Sequence, residues 1–538
     1  MQILFTPIDE MVTLGAWRVL YIRKNQMSND PDSKISKPLS SADNVDWQLF
    51  IAGSVILFSS VLVIVVFPEW SGATIDRLYI STTSRFGILY VITAVALLFF
   101  LLYVAVSKYG TIILGDDAKA AYSHFSWASM LFCAGIGASL IYWGATEWAF
   151  YYESPPFGVE AGSQEAILWA SSYGMFHWGP IGWSFYCLPA LALACSYHVK
   201  KIPSLRLSSA CEPVLKSYTT KLPGRLVDLF FLAGVIATAA TGLGFGTSLV
   251  SSATVELTGI DDGLLLQICI ILLATSLIAF SVYRGLDRGI KVLSTLNASM
   301  ALVFIAFVFL FGPTKFILEM GIVSIGHVIQ NFITMLFWTD PLQRSNFVES
   351  WTIFYWAWWL AMGPFIGMFV CKISQGRTIR ELVFGMLGWG SLGCALFFVV
   401  LGNYALFMEL EGNYPVVAKA VQASPASAIA GLVALLPIGG FWLFFVAVVG
   451  LIFMATTYDS ASYTLAAGAT KSLARNEHPA TWHRVFWALA LGFLPISLLF
   501  IGGLRELQTA SLVASLPLLG IYVMLFVSTM RMLKEIKP

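Results

Sequence analysis

Apolar runs of about 20 residues recur along this chain, each long enough to cross the roughly 30 Å hydrocarbon layer of a bilayer as a helix. They fall near residues 48–68, 86–106, 124–152, 165–199, 226–257, 262–283, 292–312, 350–371, 381–408, 430–470, 484–503 and 510–532. Backbone groups inside a membrane find no water, so only helices or a closed barrel can span it, and runs this continuously apolar read as helices. The expected fold is an all-α membrane protein with about twelve transmembrane helices. Composition agrees: 58% hydrophobic residues, 11% charged residues and a mean hydropathy of +0.78 do not describe a soluble protein.

Charge sets the expected orientation. With a cytoplasmic N-terminus, the inner segments hold 25 of the 31 lysines and arginines, among them the cluster Lys200, Lys201, Arg206, Lys216, Lys221 and Arg225. The positive-inside rule then places both termini in the cytoplasm. Residues 1–47 read as a cytoplasmic segment without a signal-peptide pattern, 48–532 as the transmembrane domain and 533–538 as a short cytoplasmic tail. The stretch from Met11 to Ile22 has an amphipathic pattern suited to the inner membrane face. Balanced charge offers nothing to nucleic acid, and the seven cysteines lack CxxC or metal-ligand spacing and read as small packing residues.

Residues 351–364, WTIFYWAWWLAMGP, crowd tryptophans at one end of an apolar helix and then place a Gly-Pro pair that is expected to interrupt it. Indole faces present negative quadrupoles, so a box of them can hold a methylated onium group that accepts no hydrogen bond. A helix interrupted inside a membrane frees backbone groups that line a cavity or an ion site. Together these features predict a carrier for a small quaternary ammonium or sulfonium solute. Trp351 and Trp356 suit lipid-interface anchoring equally well.

A second expected break lies in the third span, where CAGIGASLIYWG gathers Gly135, Gly137 and Ser139. Five spans separate the two breaks. Spans three to seven and eight to twelve can therefore form two five-helix repeats of inverted orientation, with the first two helices peripheral.

At this point the sequence resembles the betaine/choline/carnitine transporter family, from about residue 47 to the end. The likeness is carried by WTIFYWAWW and its continuation KISQGRTIREL (Lys372 to Leu382), by the glycine stretch followed by YWGATE, and by FHWGPIGWSFY (Phe176 to Tyr186). SPPFG, WTDP and SYTLA are similar to the carnitine/butyrobetaine exchanger branch. The resemblance implies the leucine-transporter-like inverted-repeat fold, a homotrimer and an aromatic cage. Carried over by position, the cage falls on Trp178, Trp183 and Tyr186 of the fourth span and Trp358 and Trp359 of the eighth, with Trp356 grouped beside them. Met362 stands where the glycine-betaine symporter of the family has a further tryptophan, which leaves a softer wall. Each cation–π contact contributes roughly 0.5–2 kcal/mol, so three or four account for binding of about micromolar affinity.

Choline-selective members carry an aspartate where this chain has Ser139, so zwitterions of the glycine betaine, carnitine or dimethylsulfoniopropionate type are expected. Their carboxylate would meet backbone N–H groups around Gly135, Gly137 and Ser139. No cofactor is implied beyond sodium as coupling ion. The resemblance places that ion on carbonyls of Cys133, Ile136 and Phe453 and hydroxyls of Thr456 and Thr457, although adjacent hydroxyls in a membrane helix commonly bond back to their own helix. Exchangers of the family replace sodium with an arginine and a methionine, where this chain has Asn297 and Ile366. That favours sodium symport over sodium-independent exchange or proton-coupled choline uptake. Glu147 and Asp459 are intramembrane carboxylates and hence candidates for function. Glu147 belongs to the family's WGxxE wording and reads as structural, and Asp459 reads as bonding within its own helix. His177 and His327 lack a nucleophile partner and read as structural, so no enzyme is expected.

Overall fold

The computed structural model describes residues 44–536 apart from 116–119, 135–136, 285–289, 343–344, 474–476 and 500–503. Met11 to Ile22, and the candidate residues Gly135 and Ile136, lie outside the described residues. In chain order the first helices are α1 (Trp47–Val66), α2 (Pro68–Val106), α3 (His124–Ala134), α4 (Ala138–Glu153), α5 (Gln164–His177) and α6 (Pro180–Ala194). Then come α7 (Leu222–Thr258), α8 (Leu264–Arg284), α9 (Ile290–Phe311), α10 (Thr314–Phe337) and α11 (Ile353–Ile373). The last are α12 (Ile379–Leu410), α13 (Pro425–Ala434), α14 (Gly439–Gly468), α15 (Thr481–Leu499) and α16 (Leu504–Glu535). The described residues contain no named strand, only isolated bridges such as Ile113 with Thr378.

Ten described helices are long and apolar enough to cross a membrane, and α3 with α4 adds an eleventh if a pair bent by 59° counts as one span. The stretches near 165–199 and 292–312 are helical, as α5 with α6 and as α9, but are not among those helices. Two boundaries are corrected. The second helix starts at Pro68 rather than near 86, and its 39 residues extend about 58 Å at 1.5 Å per residue. Pro68 sits in its first turn, where a missing N–H costs nothing. A 24-residue helix, α10, occupies a stretch to which no span was assigned.

The glycine-rich break in the third span is present. Gly137 is extended, with φ −144° and ψ 175°, and α4 starts directly after it. The expected break at Gly363-Pro364 is not: α11 runs through it from Ile353 to Ile373. The reason is a side chain. Pro364 has no N–H for the carbonyl four residues earlier, that of Leu360. On the facing helix α6, Pro189 likewise frees the carbonyl of Phe185. The hydroxyl of Tyr522 on α16 serves both, at 2.8 Å to Phe185 O and 3.2 Å to Leu360 O. Gly363 makes the crossing possible, because a Cβ there would lie 2.0 Å from that hydroxyl and 2.6 Å from Phe185 O.

Extensive packing follows the same lines. α6 lies along α11, α7 lies along α14, and α16 lies against both α7 and α11. The KISQGRTIREL segment is a tight corner joining α11 to α12. Gly376 supplies the left-handed conformation at φ 78°, and Thr378 with Glu381 forms a reciprocal cap at the start of α12. Arg377 bonds Glu381 and the Tyr122 carbonyl, and its guanidinium lies over the Trp127 ring.

Candidate functional site

The sequence folds α11 so that Tyr355, Trp358, Trp359 and Met362 share one face, at positions i, i+3, i+4 and i+7. That face meets α6 and the residue before it. Trp178, placed with Trp183 and Tyr186 in the fourth span, does not share a helix with them. It sits with Gly179 at the joint between α5 and α6, where extended backbone at Gly179 re-aims the chain. From there its ring meets Trp359 edge-to-face at 4.8 Å and Trp358 at 6.0 Å. Trp358 and Trp359 stack at 4.9 Å, Tyr186 meets Trp359 at 5.8 Å, and Trp183 meets Tyr186 at 5.4 Å. The hydroxyl of Tyr186 lies 3.6 Å from the Met362 sulfur. Five expected aromatic residues are thus brought into one buried cluster, with half-buried Met362 beside them.

Two tryptophans fall elsewhere. Trp356, a step round the helix, is buried against Phe176, His177 and Phe185. Trp351 packs on Trp143, Phe150 and Tyr151. Both have protein neighbours rather than the lipid-interface setting weighed for them.

Small residues make room for the rings. A Cβ at Gly182 would stand 2.9 Å from Nε1 of Trp359, and one at Gly390 would stand 2.3 Å from the Trp183 ring. Trp359 donates from Nε1 to the His177 carbonyl at 3.0 Å. Trp178 donates from Nε1 to Glu147 at 3.1 Å, and the hydroxyls of Tyr355 and Tyr151 donate to the same carboxylate. His177 lies beyond, with Nδ1 2.9 Å from the Tyr151 hydroxyl and Nε2 3.1 Å from that of Thr352. Glu147 and His177 thus stand in the wall of the aromatic cluster. Tyr355 was missed, although its place three and four residues before Trp358 and Trp359 puts it on their face.

The second group of candidates lies on α3 and α14. Thr456 bonds back to the Phe453 carbonyl at 3.1 Å, the common habit of a membrane-helix hydroxyl. The same hydroxyl lies 3.5 Å from Nδ2 of Asn297 on α9, whose Oδ1 is buried with no protein partner. Thr457 turns its methyl toward Gly242 of α7. Cys133 is half-buried near the end of α3, and no contact joining it to the threonines is described. Asp459 corrects its expectation: rather than bonding within α14, its carboxylate accepts from Ser281 of α8 at 3.0 Å and faces Arg484 of α15 at 3.5 Å. His327 contacts Ser172 at 3.2 Å, in keeping with a structural role. Among the described residues no group of His, Cys, Asp and Glu could hold a metal ion.

A buried cluster of indoles on two facing membrane helices is also what the sequence resemblance implied, and comparison with known proteins decides the matter. The profile of the betaine/carnitine/choline family transporters matches residues 48–538. The chain belongs to that family. It is 35% identical to a carnitine transporter of Acinetobacter baumannii, over 82% of this chain and 80% of the relative. It is 32% identical to a glycine betaine transporter of Acinetobacter baylyi, over 90% and 72%. It is also 32% identical to a high-affinity choline transport protein of Escherichia coli K12, over 87% and 68%. The protein is therefore a membrane transporter and not an enzyme.

Proposed function

We propose that this transporter imports a zwitterionic onium solute of the glycine betaine, carnitine or dimethylsulfoniopropionate type by sodium symport. The observation that carries the reading is the convergence of Trp178, Tyr186, Trp358 and Trp359, with Trp183 and Met362 adjoining, in one buried cluster. Ring faces supply the attraction for a cation that cannot be hydrogen-bonded. The names of the relatives, for carnitine, glycine betaine and choline, keep the substrate within that class. Ser139 offers no carboxylate to a substrate lacking its own, which favours zwitterions over choline.

Sodium coupling is supported by oxygen chemistry beside α14. The Phe453 carbonyl, the Thr456 hydroxyl and the spare Oδ1 of Asn297 are hard neutral donors, the kind a sodium ion takes as ligands. In this reading the third, fourth, eighth and ninth spans rock against the rest, sodium and substrate favour the same closed form, and each therefore tightens the other. Three copies assemble in a bacterial inner membrane, with both termini in the cytoplasm.

Uptake of labelled glycine betaine, carnitine and dimethylsulfoniopropionate into proteoliposomes, with and without an inward sodium gradient, tests the proposal. Accumulation that follows the gradient is the expected result. Transport that ignores sodium and requires substrate inside would make the protein an exchanger. Thr457→Ala is expected to move the sodium titration of uptake to higher concentration; an unmoved titration would relocate the ion.

A further inference from the structure

The polar cluster behind the cage holds more than is needed to fix one ring. Glu147 is fully buried, and three donors converge on its two oxygens: the hydroxyls of Tyr151 and Tyr355 and Nε1 of Trp178. All three are neutral donors, so an ionised Glu147 would have its hydrogen bonds met without a cation. Among the described residues the basic group within ion-pair reach is His177, whose Nδ1 lies 3.8 Å away. With the ring proton on Nδ1, Thr352 donates to Nε2, Nδ1–H donates to Tyr151, and Tyr151 donates to Glu147. In that tautomer His177 is neutral. Every hydrogen in the network then points toward Glu147, and among the described residues no counter-charge cancels it.

An uncompensated buried carboxylate is costly, and packing alone could be served by a neutral amide. Its position gives the cost a use. The bond from Trp178 pushes electron density into the indole, and the negative charge lies behind the ring whose neighbours are Trp358 and Trp359. Resting on the onium reading above, we propose that Glu147 is the charge-selecting residue of the cage: it makes the cluster prefer a cationic head over a neutral head of the same shape. It acts through Trp178 and Tyr355 as a positioning residue and needs no contact with the solute.

The test compares glycine betaine with tert-butylacetate, in which carbon replaces the quaternary nitrogen, each competing with the labelled onium solute for purified wild-type and Glu147→Gln protein. The wild type is expected to favour glycine betaine strongly. In Glu147→Gln that preference is expected to fall roughly ten- to twentyfold, which is what a unit charge about 9 Å away contributes at an effective dielectric near 20. The affinity for tert-butylacetate, whose only charge is its carboxylate, should not fall. An equal loss for both ligands, or an unchanged preference, overturns the inference while leaving the cage intact. A wild type that does not separate the two ligands overturns the onium reading itself. Should Glu147→Gln fail to assemble, Tyr355→Phe decides: it removes one compensating donor and keeps the charge, so the preference for glycine betaine should rise. A preference that falls or stays level overturns the inference.

Discussion

At Gly137 the chain turns by 59° between α3 and α4, whereas at Gly363-Pro364 the helix α11 continues without a turn. Both places carry residues that weaken a helix, so local propensity does not explain the difference. What does is the supply of partners. The Leu360 carbonyl freed by Pro364 finds the Tyr522 hydroxyl, and the helix can stay whole around one missing bond. At Gly137 the backbone is extended, and its amide N–H groups are left to face whatever lies beside the helix end. A helix breaker inside a membrane therefore marks a site only when no neighbouring side chain answers the group it frees.

The largest expected effect tests what the intact helix carries. Trp358→Ala should abolish uptake while the protein still assembles, because a continuous α11 holds its cage face as a unit; wild-type affinity measured by substrate binding would remove the cage. Next comes the crossing itself. Gly363→Ala should destabilise the purified protein by about 3 kcal/mol, since the new Cβ collides with a backbone carbonyl as well as a hydroxyl, and denaturant titration would read it. Tyr522→Phe should cost about 2 kcal/mol, the penalty for leaving buried carbonyls unanswered. An unchanged stability there would mean that α11 survives Pro364 for another reason. The smallest effect is at the other break. Gly137→Ala meets, among the described residues, only the Ser139 hydroxyl, at 3.8 Å, so stability should stay within about 0.5 kcal/mol. Affinity for the zwitterion should nonetheless fall severalfold, and equal affinity would show that the bend at Gly137 serves shape rather than binding.

Much of this was legible in the chain. Apolar length gave the membrane and the helices, and the tryptophan spacing in WTIFYWAWW put Trp358 and Trp359 on one face. The resemblance brought Trp178, Trp183 and Tyr186 to them. What could not be read were relations between distant segments. Nothing near Pro364 announces that Tyr522 will serve it, and nothing near Asp459 announces Ser281 and Arg484. The expected span near 165–199 ran through Gly179, yet that residue marks the joint that aims Trp178. Helix α10 was missed because His327, Gln330 and Asn331 dilute its apolar pattern.

Tyr522 ties two helices of the cage to the last helix of the chain through one hydrogen, shared between Phe185 and Leu360. That is a mechanical constraint. A motion that slides α6 past α11, or pulls either away from α16, exposes two carbonyls in a place without water. The three helices are thus riveted at one buried point, and the swing that admits a solute on one side and releases it on the other has to pivot elsewhere.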